Sequence, residues 1–218
     1  MVELTIYIGN KNYSSWSLRG WLPLKESGLA FDEVMIPLDQ PSTRAAVLAQ
    51  SPSGRVPALH HGSLVICDSL AIGEYLAEIC PEKHFWPLDR ESRAVARSIS
   101  AEMHSGFSAL RDHFPMNIRS SFPHRGVTPE VQADINRITA IWREQRRKAG
   151  DGAGPFLFGH FTIADAMFAP VVSRFRTYKV ELDEICQAYA DAVWSLPSYQ
   201  EWQDIARHEP MIIETAEF

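Results

Sequence analysis

Every β-prone run in this chain falls before residue 67, and every long apolar periodicity beyond residue 90 is helical. That asymmetry restricts the fold to an α/β unit followed by an all-α unit. The first run, "ELTIYIG", is rich in β-branched and aromatic residues, and the Asn/Ser-rich "NKNYSS" separates it from "WSLRGWLPLKESG". There Trp16, Leu18, Leu22 and Leu24 form an approximate helical stripe ending at Gly28, and Pro23 inside it predicts a kink or a shortened helix. "FDEVMIPL" reads as a second strand, "PSTRAAVLAQS" as a short helix and "VPALHHGSLVI" as a hairpin turning at His-Gly-Ser; "DSLAIGEYLAEIC" is a helix with Ile72, Tyr75, Leu76 and Ile79 on one face. Strands 1 and 2, linked through a helix, must run parallel, and the hairpin adds antiparallel strands to the same sheet.

"PEKHFWPLDRES" carries two prolines and several charges, the composition of a linker, so the expected division is 1–80, a linker at 81–90, and a helical domain at 91–218. In that second half, Val95, Ile99, Met103, Phe107, Leu110 and Phe114 recur at spacings of three and four and predict one helix over 91–118. Val131, Ile135, Ile138 and Trp142 do likewise, and shorter helices are expected near 183–193 and 198–207. The almost wholly apolar "TIADAMFAPVVSRF", 162–175, belongs at the centre of the bundle. Thr162 and Asp165 stand as a capping-box variant at its start, a structural role.

Composition excludes several functions. A formal net charge of −6 argues against a broad phosphate-binding surface, and no apolar run approaches the ~20 residues that span a bilayer. Neither a nucleic-acid nor a membrane partner is expected, and the start "MVELTIYIGN" has no leader pattern, which points to the cytoplasm. Cys67, Cys80 and Cys186 lie far apart with no C-x-x-C spacing, so reduced, mostly buried thiols are expected rather than disulfides or a metal site. His104 and His113, nine apart, would face opposite sides of a helix and cannot share a metal; His60 and His61 precede a turn and read as surface residues.

The chemistry is concentrated in "GRVPAL" and, after the hairpin, "DSLAI". A proline at a strand entrance, preceded by Val56, leaves a backbone edge able to pair with an extended peptide if the Val56–Pro57 bond is cis. Asp68 and Ser69 open a helix whose amides favour a carboxylate, while the Asp68 side chain can accept from an ammonium; an α-amino acid end carries both groups. Any one Asp-Ser pair could equally be a helix cap alone. Together, "SGRVPALHHGSLVICDSLAIGEYL" resembles the glutathione-binding segment of cytosolic glutathione transferases, and "GPFLFGHFTIADAMFAP" resembles the folding motif of their second half. The resemblance covers nearly the whole chain and is to the serine-type classes, zeta-like in the stretch "NYSSWSLR".

That resemblance implies a thioredoxin-like first domain with a mixed four-stranded sheet, an all-helical second domain, glutathione as co-substrate, no metal, and a cytoplasmic homodimer with a role in detoxification. It implies an activated thiol attacking a small electrophile, or alternatively a glutathione-dependent isomerisation of a conjugated diketo acid, as by maleylacetoacetate isomerase. A non-catalytic relative that binds a protein partner is the third reading. The thiol needs a donor at the first turn after strand 1, because lowering a thiol pKa by about two units from ~8.5 takes about 2.7 kcal/mol. Ungapped matching puts Asn12 where the family's usual serine stands, so Ser14, Ser15 and Asn12 are all candidates, with Tyr13 an outsider. Arg55 and Gln40 are candidates for the glycyl carboxylate of glutathione. Met103, His104, Phe107 and Arg111 are candidates for the second-substrate pocket, although a Met and aromatic stripe is also what a bundle core looks like. His104 and Arg111, seven apart and on one helical face, could orient an anionic or carbonyl substrate.

Overall fold

The computed structural model describes residues 3–150 and 152–217. β1 (Leu4–Ile8) buries Leu4, Ile6 and Ile8 by simple alternation and is flanked on one side by parallel β2 (Asp32–Met35). On its other side lies antiparallel β3 (Ala58–His61), which pairs with β4 (Leu64–Ile66), giving the order β2-β1-β3-β4. Gly62, at φ 61°, supplies the left-handed residue of the hairpin turn. The first half is completed by α1 (Ser15–Ser27), α2 (Thr43–Gln50) and α3 (Ser69–Ile79).

Helix α1 continues through Pro23 to its left-handed cap at Gly28, so the proline does not shorten it. Residues 17–24 are all buried, and that packing outweighs the one backbone hydrogen bond a proline forfeits. Gly20 lets α1 lie against the Val56–Pro57 segment: a Cβ there would sit 2.8 Å from the Pro57 ring. The packing that shapes the core therefore also positions Val56.

The helical half comprises α4 (Arg90–Ser105), α5 (Ser108–His113), α6 (Pro129–Ala149), α7 (Ile163–Tyr178), α8 (Glu184–Trp194) and α9 (Pro197–His208). The single helix expected over 91–118 is two. Gly106 takes an extended conformation, Phe107 is left-handed at φ 61°, and the Arg111 guanidinium caps the end of α4 by donating to the Gly106 carbonyl at 3.0 Å and to the Met103 carbonyl. The periodicity crosses the break because Met103, Phe107, Leu110 and Phe114 all enter the same core.

Helix α7 is central as expected, with every residue buried except Arg176. It packs on α1 of the first half and on α4 and α8 of the second. The Thr162–Asp165 box is formed: Asp165 Oδ2 accepts from the Thr162 amide and hydroxyl at 2.8 Å each, and Oδ1 accepts from the Leu157 amide at 3.0 Å. The segment 81–90 is more than a tether. Phe85 and Trp86 are buried, and the Phe85 carbonyl accepts from the Ile163 amide at 3.0 Å, so the crossing between halves is locked to the start of α7.

Candidate functional site

A cleft of about 950 Å³ opens where the carboxyl end of β1, the start of α1, the loop before α2, the Val56–Pro57 turn and the start of α3 converge, with α4 on the far wall. The Val56–Pro57 peptide is cis, as the sequence allowed, and both residues line the cleft. Asp68 caps α3 through Oδ1, which accepts from the Leu70 and Ala71 amides at 3.0 and 3.3 Å. Its Oδ2 lies 2.9 Å from His104 Nε2. Ser69 is 1% exposed and its hydroxyl has no partner among the described residues, a buried donor facing the cleft. An unpartnered buried hydroxyl beside the Asp68 carboxylate, whose outer oxygen is shared with His104, fits the carboxylate and ammonium of an α-amino acid.

The structure separates the three candidates at the first turn. Ser14 and Ser15 line the cleft; Asn12 does not. Asn12 is fully buried: its side chain donates to Asn117 Oδ1 at 2.9 Å and accepts from the Arg119 amide at 3.0 Å, while its own amide donates to Glu209 at 3.0 Å. It fastens β1 to the C-terminal region, and its side-chain amide is spent there. Tyr13 reaches the cleft wall, but its hydroxyl donates to Glu217 at 2.6 Å, and burial, followed by that bond, pushes it above the ordinary tyrosine value.

Ser14 is the N-cap of α1: its Oγ accepts from the Ser17 amide at 3.3 Å and donates to Ser17 Oγ at 2.8 Å, which in turn accepts from the Gly9 amide at 2.9 Å. The Ser15 hydroxyl instead accepts from Arg174 Nη2 at 3.3 Å, and its own proton has no acceptor among the described residues. Arg174 lies on α7, is 4% exposed, and donates through Nε to the Phe114 carbonyl at 2.7 Å.

Of the other expected residues, Arg55 and Gln40 are exposed and line the cleft. His104 also lines it, on the Asp68 side, with its ring edge-on to Trp16 at 5.1 Å. Met103 and Phe107 are buried in the core and lie outside the lining. Arg111, placed on α5 by the helix break, does not share a face with His104; its guanidinium lies over the Trp16 ring at 4.7 Å and lines a second, smaller recess. Thr43 and Arg44, at the start of α2, line the cleft and were not anticipated, although a helix opening directly after Gln40 was a usable sign. Cys67 is half-buried at the cleft wall with Sγ 3.4 Å from Ser51 Oγ, whereas Cys80 and Cys186 are buried and their thiols are pushed up by burial. His60 and His61 are half-buried rather than free on the surface, held by the Gln50 carbonyl at 2.7 Å and the Tyr75 hydroxyl at 2.6 Å. Among the described residues no cluster of three or more His, Cys, Asp or Glu could hold a metal, and no helix is long and apolar enough to cross a membrane.

Comparison with known proteins agrees with this geometry. Residues 13–79 match the family described as glutathione S-transferase, N-terminal domain, and residues 94–195 match glutathione S-transferase, C-terminal domain. A maleylacetoacetate isomerase from Rattus norvegicus is 30% identical over 183 residues, covering 81% of this chain and 80% of its own. Two crystal structures with bound glutathione superpose on the fold. A glutathione transferase homolog from Burkholderia gl BGR1 has a TM-score of 0.71 at 27% identity, covering 95% of this chain and 100% of that one. A theta class glutathione S-transferase from Xanthomonas axonopodis pv. citri has a TM-score of 0.66 at 25% identity, covering 92% and 97%. A thioredoxin-like half, an all-helical half and a cleft at their junction that suits an α-amino acid thus coincide with both family domains, and the chain belongs to the glutathione S-transferase family.

Proposed function

We propose that this protein is a glutathione transferase in which residues 1–80 bind the tripeptide, 81–90 form the crossing, and 91–218 present a small electrophile to its sulfur. The observation that carries this reading is the Ser15 hydroxyl, which accepts from a buried arginine and keeps its own proton available at the amide end of α1. Asp68 and Ser69 would take the ammonium and carboxylate of the γ-glutamyl end, the Val56 backbone would pair with the cysteinyl peptide, and Arg55 or Gln40 would meet the glycyl carboxylate. A thiolate so held attacks an electrophilic carbon, its proton passing to solvent and the leaving group departing with the bonding electrons.

Titration of the bound thiol by thiolate absorbance tests this. Glutathione is expected to ionise about two pH units below its free value near 8.5, and Asp68→Asn should weaken its binding about tenfold by calorimetry. An unshifted thiol would remove the catalytic reading and leave a non-catalytic binding protein.

The glutathione-dependent isomerase is the second reading, favoured by the 30% identity to a maleylacetoacetate isomerase. It uses the same thiolate but returns glutathione unconsumed, so product analysis separates the two. A homodimer, with cytoplasm as its compartment and detoxification as its context, belongs to the family-based reading. Light scattering should give twice the chain mass of 24.6 kDa, and a monomer would count against it.

A further inference from the structure

The loop that presents Ser14 and Ser15 is held from the other half of the molecule. The Lys11 amide donates to Glu209 Oε1 and the Asn12 amide to Glu209 Oε2, at 3.0 Å each, while the Lys11 carbonyl accepts from Trp202 Nε1 at 2.9 Å. Glu209 is 8% exposed and Trp202 is fully buried, so water competes little for these bonds. Both belong to α9, Trp202 within it and Glu209 as its C-cap. Seven positions apart, they stand about two turns from one another on one helical face, and together they meet both backbone groups of a single residue, Lys11. The Lys11 ammonium strengthens the grip by lying over the Trp202 ring at 4.9 Å.

A displacement at this contact would reach the serines. The Asn10 carbonyl accepts from the amides of Tyr13 and Ser14 at 3.1 and 2.8 Å, and the Tyr13 carbonyl accepts from the Ser15 amide at 3.0 Å. The chain from Asn10 to Ser15 is therefore one bonded turn. Arg174 meets the Ser15 hydroxyl, whereas the backbone that carries that hydroxyl is set by the turn. A donor acts on a bound group only when held within about 0.5 Å of its productive position. Two buried amides deprived of their acceptor would seek other partners, and the turn would shift with them.

We propose that Glu209 is a positioning residue for thiol activation: its carboxylate, at the end of α9, sets the turn from which Ser15 faces the sulfur. Glu209 does not itself line the cleft, so it acts only through the backbone of Lys11 and Asn12. The proposal rests on the transferase reading of Ser15 and extends the machinery of that site to α9.

Titration of bound glutathione by thiolate absorbance tests it, with Asp183→Ala as the control. Asp183 caps α8 and pairs with Arg143, outside the cleft. Both Glu209→Ala and Asp183→Ala should lower the thermal midpoint, but only Glu209→Ala should raise the titration midpoint of the bound thiol, by about one pH unit toward its free value. Calorimetry at pH 5.5, where the thiol is protonated throughout, should show glutathione affinity changed by less than about twofold, because Asp68, Ser69 and Val56 stay in place. Glu209→Gln keeps the size of the side chain and one acceptor oxygen; it should move the thiol midpoint about half as far, and it decides the matter if the alanine variant does not fold. Thiol midpoints that stay at the wild-type value, an equal rise in Asp183→Ala, or loss of binding at pH 5.5 would each overturn the role. A wild-type thiol that ionises at its free value would instead strike the transferase reading, so the two failures are distinguishable.

Discussion

Asp165→Ala should lower stability by about 3–5 kcal/mol and reduce the thermal midpoint by about 10 °C or more, the larger of the structural effects expected here. Asp165 is fully buried, and its two oxygens satisfy three donors, the amides of Leu157 and Thr162 and the Thr162 hydroxyl. Removing the carboxylate leaves all three without an acceptor in a place water does not reach, at about 1–3 kcal/mol each before relaxation. Burial pushes this carboxyl above its ordinary value, yet the three donors oppose that shift, so an acceptor is needed whichever protonation state prevails. The damage should extend beyond α7. Ile163 is tied to Phe85 and lies against Gly73 of α3, where an added Cβ would meet it at 3.2 Å, so the junction between halves should loosen as well. Differential scanning calorimetry checks the expectation, and a loss under 1 kcal/mol would show the box to be dispensable.

Ser15→Ala should reduce kcat/KM about 100-fold, the effect typical of losing one preorganised donor to developing or resident negative charge. The argument turns on where each hydroxyl proton goes. Ser14 commits its proton to Ser17 Oγ and its lone pair to the Ser17 amide, which is the bonding of a cap. Ser15 receives a hydrogen bond from the Arg174 guanidinium, which polarises its O–H toward any acceptor in the cleft. Ser14→Ala should therefore act mainly on stability, by about 1 kcal/mol. Ser15→Ala should return the bound thiol's titration toward its free value and move the acid limb of the pH–rate profile to higher pH with it. If Ser14→Ala abolishes the shift and Ser15→Ala leaves it intact, the assignment between the two serines is reversed.

Much of the architecture was legible because local pattern and global fold agree. Leu4, Ile6 and Ile8 alternate, Gly28 and Gly62 sit where left-handed backbone is needed, and the apolar run at 162–175 is the buried centre. What was not legible depends on contacts between distant elements. Pro23 is carried inside α1 by burial on all sides, and the break at Gly106 is hidden because the residues on either side enter one core. Phe85 and Trp86 looked like linker residues amid prolines and charges, yet both are buried, Phe85 bonded to the start of α7 and Trp86 to Glu74 of α3.

The motif residues Val56, Pro57, Asp68 and Ser69 line one cleft. Asn12 was ambiguous because position alone does not show that its amide is consumed by Asn117 and its oxygen by Arg119. Arg19 and Arg174 were visible signals left unused. A charge inside "SWSLRGW", and another inside the otherwise apolar "FAPVVSRF", already marked guanidiniums that the fold takes into its interior, where backbone carbonyls hold them.

The bond from Arg174 on α7 to Ser15 on α1 has an evolutionary consequence. If Ser15 holds the sulfur as proposed, the group that polarises it is encoded some 160 positions downstream, so exchanging either half for that of a relative should require a matching change in the other. On that reading the seam between the halves is inherited as a unit, and shuffling across residue 85 would part Ser15 from Arg174 even where both fragments fold.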